Sequence, residues 1–197
     1  EGDLRIGNYF LTYCKGTDGV IDYDRTGRII AKMNADIVCL QGLDKETERS
    51  EGIDQLNVLA QKANMYDYFA KAIDCKGGEF GVGILTKEEP VSVDRYQMAG
   101  KSEMRAAMVV EYEKFVVAST NFDTDMAKRI EALQTLETKL SAYNKPAFLL
   151  GYFNEGDLES EFFQMVKSNW NLLSADKSTE VSGKKRRLDF IVSLKSH

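Results

Sequence analysis

The sequence predicts an α+β domain of two packed, mostly antiparallel sheets with helices on the outer faces. Three observations carry this. Short apolar or alternating runs dominate the middle of the chain, helical periodicities appear towards both ends, and the two do not alternate strictly as βαβ units would. No repeat, low-complexity tract or Pro/Gly linker interrupts the 197 residues, and only two prolines occur, so 1–197 reads as one domain.

Leu4 to Leu11 alternates and reads as a first strand. Asp22 to Asn34 reads as a helix, with Arg28, Ile29, Ile30 and Met33 at helical spacing and Asp22 as its N-cap. Ala35 to Gln41 is a short apolar run expected as a buried strand, broken by Gly42 and followed by a charged loop from Asp44 to Gly52. Ile53, Leu56, Val58, Leu59 and Ala63 mark a second helix. Tyr66 to Ala72 and Phe80 to Thr86 are strands around a Gly77-Gly78 turn. Val91 to Met98, Ala106 to Tyr112 and Phe115 to Thr120 continue the β-rich middle, the last two joined at Glu113-Lys114.

Asp125 to Ala142 is the strongest helical pattern, with Met126, Ile130, Leu133, Leu136 and Leu140 on one face. Pro146 then introduces Ala147 to Leu150, an apolar strand ending in Gly151-Tyr152-Phe153-Asn154. Glu159 to Lys167 is a short helix, Trp170 to Ser174 a strand, Asp176 to Arg187 a polar loop, and Leu188 to Leu194 the closing strand.

Composition narrows function. Hydrophobic content of 43% and charged content of 29% are those of an ordinary globular protein. No run of 18 apolar residues exists, so no membrane span is expected. The net charge of −5 argues against broad nucleic-acid binding, whose affinity comes from neutralised phosphates. The polar start Glu1-Gly2-Asp3 carries no signal-peptide pattern, although a start other than Met leaves a cleaved leader open. Cys14, Cys39 and Cys75 lack metal-ligand spacing and read as structural thiols. The one histidine is His197, a terminal residue poorly placed for proton transfer.

The stretch Gly151-Tyr152-Phe153-Asn154 resembles the Gly-Asp-Phe-Asn signature of the endonuclease/exonuclease/phosphatase (DNase-I-like) superfamily. Other landmarks are similar in order to its bacterial branch. They are Leu4 to Gly7, Cys14-Lys15-Gly16, Asp18 to Asp22, Asp36-Ile37-Val38, Leu40-Gln41, Thr47 to Ser50, Gly81 to Leu85, Thr120, Asp123 and Asp189. The resemblance implies a four-layer α/β sandwich with a Mg²⁺-dependent phosphoesterase site at one edge of the paired sheets. It also implies a bacterial setting in which relatives are often exported, with the compartment left open.

The resemblance also shows what has changed. Where the family carries Asn, Glu, His, Asp and His (an aromatic in some branches), this chain carries Phe10, Gly42, Asn121, Tyr152 and Phe190; Asn154, Asp189 and Arg105 persist. The expectation is a catalytically degenerate domain that needs no cofactor and acts by binding an unidentified ligand or protein partner. Loss of even one cooperating catalytic group commonly costs about 10³-fold. Two fates of the site are open: relaxation towards packing, or an aromatic platform of Phe10, Tyr152 and Phe190, beside Arg105, for a sugar or a peptide. The rival reading is an active phosphodiesterase or phosphatase whose Mg²⁺ sits near Asp189 on ligands rebuilt from Asp44, Glu46 or Asp123.

Three smaller signals complete the picture. Lys184 to Arg187 is either a rim for a phosphate or acidic partner or a solvated loop. Gly77 to Gly83 leads into a strand, which favours a hairpin over phosphate cradling. Met65, Tyr66, Tyr68 and Phe69 read as core packing.

Overall fold

A computed structural model of the chain describes residues 3–174, 179–181, 184–186 and 188–195, the second and third of these stretches as backbone alone. The chain begins with β1 (Ile6–Phe10), α1 (Tyr23–Met33), β2 (Ile37–Lys45), α2 (Gln55–Ala63), β3 (Tyr66–Cys75) and β4 (Gly78–Thr86). These strands form a four-stranded sheet in the order β1-β2-β4-β3, with β1 parallel to β2 and the other pairings antiparallel.

The chain continues with β5 (Ser92–Met98), β6 (Arg105–Glu111), β7 (Val116–Asn121), α3 (Met126–Ser141), β8 (Ala147–Tyr152), α4 (Glu161–Asn169), β9 (Trp170–Leu172), β10 (Thr179–Val181), β11 (Lys184–Arg186) and β12 (Asp189–Leu194). The second sheet runs β5-β6-β7-β8-β12-β9, parallel only at β7–β8, and β10–β11 form a separate hairpin.

Each sheet buries both faces, which gives four layers. Ile37, Cys39 and Ile84 of the first sheet meet Met108, Val110, Val117 and Leu150 of the second. On the outer side of the first sheet, Ile30 of α1 and Leu56 and Leu59 of α2 pack on Val38, Leu40 and Leu85. On the outer side of the second, Leu133, Leu136, Leu140, Phe162 and Val166 cover Val109, Ala118, Leu149 and Val192. Burying each such side chain contributes about 1.5–3 kcal/mol. The α+β reading and the four-layer sandwich are therefore as expected.

Local chemistry sets the element ends. Asp22, Asp54, Asp125 and Ser160 cap the four helices, each side chain accepting from a backbone N–H three residues on at 3.0–3.2 Å. The β3–β4 hairpin turns at Lys76-Gly77, both at positive φ (44° and 80°), the geometry whose twist matches antiparallel strands. The glycine-rich stretch is thus a hairpin.

Some expectations change. Gly42 does not end β2; the strand passes through it as a bulge, with a register shift between Gln41 and Leu43, and runs on to Lys45. The stretch read as one polar loop holds the short hairpin β10–β11. Met126 lies exposed, while Arg129 of the same helix is buried. Tyr66 is half exposed, with only Met65, Tyr68 and Phe69 of its group packed against the core. Among the described residues, no helix is long and apolar enough to cross a membrane.

Candidate functional site

The parallel ladder β7–β8 and the antiparallel ladder β8–β12 bring Asn121, Tyr152 and Asp189 into one cross-strand row. Alternation along β8 puts Phe148 and Leu150 on the inter-sheet side, so Tyr152 faces that side as well. Phe10, at the end of β1 in the other sheet, closes over it. The two rings stack with centroids 3.8 Å apart and planes 18° from parallel. Such a pair contributes about 0.5–1.5 kcal/mol beyond its area and joins the two sheets at their open ends.

Asn154 follows at positive φ (55°) and donates from Nδ2 to the carbonyl of Phe122 at 2.5 Å and to Asn121 Oδ1 at 3.4 Å. Its amide ties the turns after β7 and β8 together. Among the described residues, no ion pair reaches Asp189.

Phe190 stands apart from the other two aromatics, which corrects the three-ring platform. It is the next residue along β12 from Asp189, and successive strand side chains point to opposite faces. Its ring lies 2% exposed under the helices, 5.3 Å from Phe153 and 4.8 Å from Phe163.

Arg105, at the start of β6, is committed as well. Its Nε donates to Asp123 Oδ1 at 2.9 Å, and Nη1 lies 3.8 Å from Glu103. Asp123 also accepts from the backbone N–H groups of Lys101 and Asp125. Burial alone pushes its carboxyl upward, but Arg105 and these two N–H groups together hold it below the usual carboxylate range. The cavity lined by Arg105, Asn121 and Phe80 measures about 10 Å³, room for one water. A larger recess of about 320 Å³ lies beside Phe10, between Thr12 to Thr17 and α1.

Mg²⁺, which the resemblance implies, demands near-octahedral oxygen ligands at roughly 2.0–2.1 Å. The residues present do not fit it. Gly42 has φ +79°, and a Cβ built there lies 1.6 Å from the carbonyl oxygen of Leu11, so no carboxylate side chain can stand at that position. Asp44 is fully buried and already engaged by three hydrogen bonds. Arg49 grips it with Nε at 2.6 Å and Nη2 at 2.8 Å, and the Thr47 hydroxyl adds a third bond at 2.8 Å. Asp123 is held by Arg105, and Glu46 is exposed on the loop side of β2. Among the described residues, no three His, Cys, Asp or Glu side chains are grouped to hold an ion.

No family profile matches the chain, and no curated protein matches it in sequence. Solved structures match it by shape. An endonuclease/exonuclease/phosphatase family protein from Bacteroides thetaiotaomicron superposes with a TM-score of 0.74 at 15% identity, over 98% of this chain and 82% of its own. The endonuclease/exonuclease/phosphatase from Beutenbergia cavernae gives 0.80 at 15% identity, over 98% and 64%. A mannosyl-6-phosphatase from Bacteroides thetaiotaomicron gives 0.74 at 15% identity, over 98% and 86%. The fold is that of the endonuclease/exonuclease/phosphatase proteins. At such identity the likeness speaks for the fold alone, and the chemistry rests on the side chains.

In this endonuclease/exonuclease/phosphatase fold, several residues near the sheet ends take roles that the sequence did not reveal, Gln41 and Arg49 having stood only as landmarks of the resemblance. Gln41 is fully buried between the sheets and donates to Asn8 Oδ1 at 2.7 Å and Ser119 Oγ at 3.1 Å, stitching β1, β2 and β7. Arg49 stacks on the Tyr13 ring at 3.9 Å, which lets its charge reach the buried Asp44 while its plane stays covered. Arg129 bonds to the carbonyls of Asp123 and Thr124 and to Glu155, clamping the loops after β7 and β8. A lone Arg on an otherwise apolar helix face is the signal for such a clamp. Burial pushes the Cys14 thiol up to about 12, so it stays protonated. Arg187 and His197 lie outside the described residues, as do the side chains of Lys184 to Arg186.

Proposed function

We propose that residues 1–197 form one catalytically degenerate endonuclease/exonuclease/phosphatase-like domain that works by binding rather than hydrolysis. The observation that carries this is the closure at Gly42. The strand bulge, the positive φ and the Leu11 carbonyl, 1.6 Å from where a Cβ would stand, leave no room for the charge that would anchor a cation. Asp44 and Asp123 are spent on Arg49 and Arg105. The Phe10–Tyr152 stack adds an apolar cover where an attacking water and a phosphate would have to sit. Asp189 and Asn154 remain, and among the described residues no imidazole stands beside them to complete a proton-transfer pair.

The test pairs calorimetric titration of the protein with Mg²⁺ and Mn²⁺ at millimolar concentration with hydrolysis of bis(p-nitrophenyl) phosphate. The expected result is neither saturable heat nor turnover above buffer. Metal-dependent hydrolysis that disappears in Asp189→Ala would overturn the proposal and restore a phosphoesterase with rebuilt ligands.

A further inference from the structure

A tight turn after β1 shapes the recess of about 320 Å³ beside Phe10. Tyr13 and Cys14 both hold positive φ (37° and 61°), and Lys15 N–H donates to the Thr12 carbonyl at 2.7 Å. The turn so closed brings Thr12 and Lys15 next to each other, and both line the recess. Tyr9 and Phe10 of β1 and Arg25 of α1 line it as well.

The charged lining residues, Lys15 and Arg25, are both cations, and among the described residues no carboxylate lines the recess. Arg25 is already matched. Its Nη1 and Nη2 reach the two oxygens of Asp18 at 2.8 and 3.2 Å, and Nη2 also donates to the Val20 carbonyl at 3.1 Å. Gly16 makes this seat possible, because a Cβ there would lie 2.1 Å from Nη2. The Arg25–Asp18 pair therefore adds no net charge. Lys15 forms no ion pair among the described residues, and its ammonium lies 5.9 Å from the centroid of the Tyr13 ring. The Cys14 thiol stays protonated and contributes no charge. One uncompensated positive charge remains.

Hydroxyls and one aromatic ring supply the rest of the chemistry. The hydroxyls of Tyr9, Thr12 and Thr17 line the recess, and among the described residues none of them has a hydrogen-bond partner. Tyr152 covers one face of Phe10, and surface of that ring left outside the stack lines the recess. At about 320 Å³ the space stands at the small end of the roughly 300–1,000 Å³ of ligand pockets, which suits a single ring and not a chain of them.

We infer that this recess binds a small sugar acid of the hexuronate type, one polyhydroxylated ring that carries one carboxylate. Lys15 takes the carboxylate in a charge-assisted bond. Tyr9, Thr12 and Thr17 exchange hydrogen bonds with the ring hydroxyls, and the C–H face of the sugar lies against Phe10, whose ring face is electron-rich. Charge decides between anions. A phosphate monoester brings about −1.5 to −2 at neutral pH against a single spare positive charge, with the Asp18 carboxylate held directly behind Arg25. A neutral sugar leaves Lys15 unmatched, and an apolar ligand covers the ammonium and three hydroxyls without bonding them. The inference rests on the binding role proposed above and gives it a ligand class.

The test titrates the 197-residue chain with sodium D-glucuronate in the presence of EDTA, by calorimetry and by amide correlation spectra. Saturation is expected with a Kd of about 1 mM or below, with shifts centred on Tyr9 to Thr17 and Arg25. D-glucose and D-glucose 6-phosphate should each bind roughly tenfold or more weakly than glucuronate. Lys15→Met, at an exposed position, should weaken glucuronate by a similar factor, whereas Lys167→Met on α4, an equal change of charge, should bind it as wild type does. Failure to saturate by about 10 mM, glucose 6-phosphate binding as tightly as glucuronate, shifts centred elsewhere, or equal effects of the two lysine variants overturns the inference. Metal-dependent hydrolysis would strike the binding role without altering this EDTA titration. Absence of glucuronate binding in a protein that hydrolyses nothing would strike the ligand class alone.

Discussion

Replacing Gly42 by alanine isolates the closure of the sheet end. Two costs arise at this position. An L-residue at φ +79° carries roughly 1–2 kcal/mol of backbone strain. The added Cβ also falls 1.6 Å from the Leu11 oxygen, against the 3.0 Å that real Cβ contacts respect, so the backbones must separate by the difference, 1.4 Å. Leu11 and Tyr13 are pinned to β2 by N–H bonds to the carbonyls of Gln41 and Gly42 at 2.7 and 2.8 Å, and such a displacement breaks both. At about 1 kcal/mol net for each bond, the total loss is about 3–4 kcal/mol. Gly52 supplies the control, because it has φ +76° with nothing within 4 Å of a built Cβ, so Gly52→Ala carries the strain alone. Urea unfolding followed through Trp170, the single and buried tryptophan, should place Gly42→Ala about 2 kcal/mol below Gly52→Ala. Equal losses in the two variants would refute the reasoning. So would a Gly42→Glu protein as stable as wild type that takes up Mg²⁺.

Two further outcomes follow from the site. Phe190→Ala empties a place in the core beneath the helices and should cost about 3–5 kcal/mol, whereas Phe10→Ala loses its stack on Tyr152 at the partly open sheet end and should cost less, about 1–2 kcal/mol; equal shifts in thermal unfolding would deny that Phe190 lies in the core while the Phe10 stack lies at the sheet end. Asp123 has its folded-state value held below the ordinary 3.8, so its contribution is present above that pH and is lost as pH falls through the folded value. Arg105→Gln removes the side chain that holds the charge, should cost about 3 kcal/mol at neutral pH, and should move acid unfolding to higher pH; an unchanged acid midpoint by circular dichroism would contradict the pairing.

The fold was legible because its signals are local and repeated. Apolar runs and alternation located nearly every strand, and Asp22 caps the first helix as its position suggests. Gly42 shows what was not legible. A glycine after an apolar run reads as a stop, and only the path of Leu11 across it turns the stop into a bulge under a crowded carbonyl. Phe190 shows the same limit at one residue's resolution. Its neighbour Asp189 belongs to the site row, and the face of each was fixed by pairing with β8 rather than by composition. Gln41, Asn8 and Ser119 lie more than thirty residues apart in pairs, so a contact that depends on two sheets meeting leaves no periodic trace.

The residues at the sheet ends also constrain one another. Tyr152 stands directly opposite Asp189 across the β8–β12 ladder, a separation at which like charges destabilise a sheet. An Asp at position 152 would face that carboxylate with no cation between them, because Gly42 admits no anchoring side chain and Asp44 is consumed by Arg49. An aromatic at 152 removes the repulsion, and Phe10 gives it a surface to stack on; a small amide at position 10 would leave the ring half covered. Gly42, Tyr152 and Phe10 are therefore mutually favourable. A carboxylate placed at 42 meets the Leu11 carbonyl and one placed at 152 meets Asp189, so an open, charged sheet end requires moving the β1–β2 crossing together with the residues it covers.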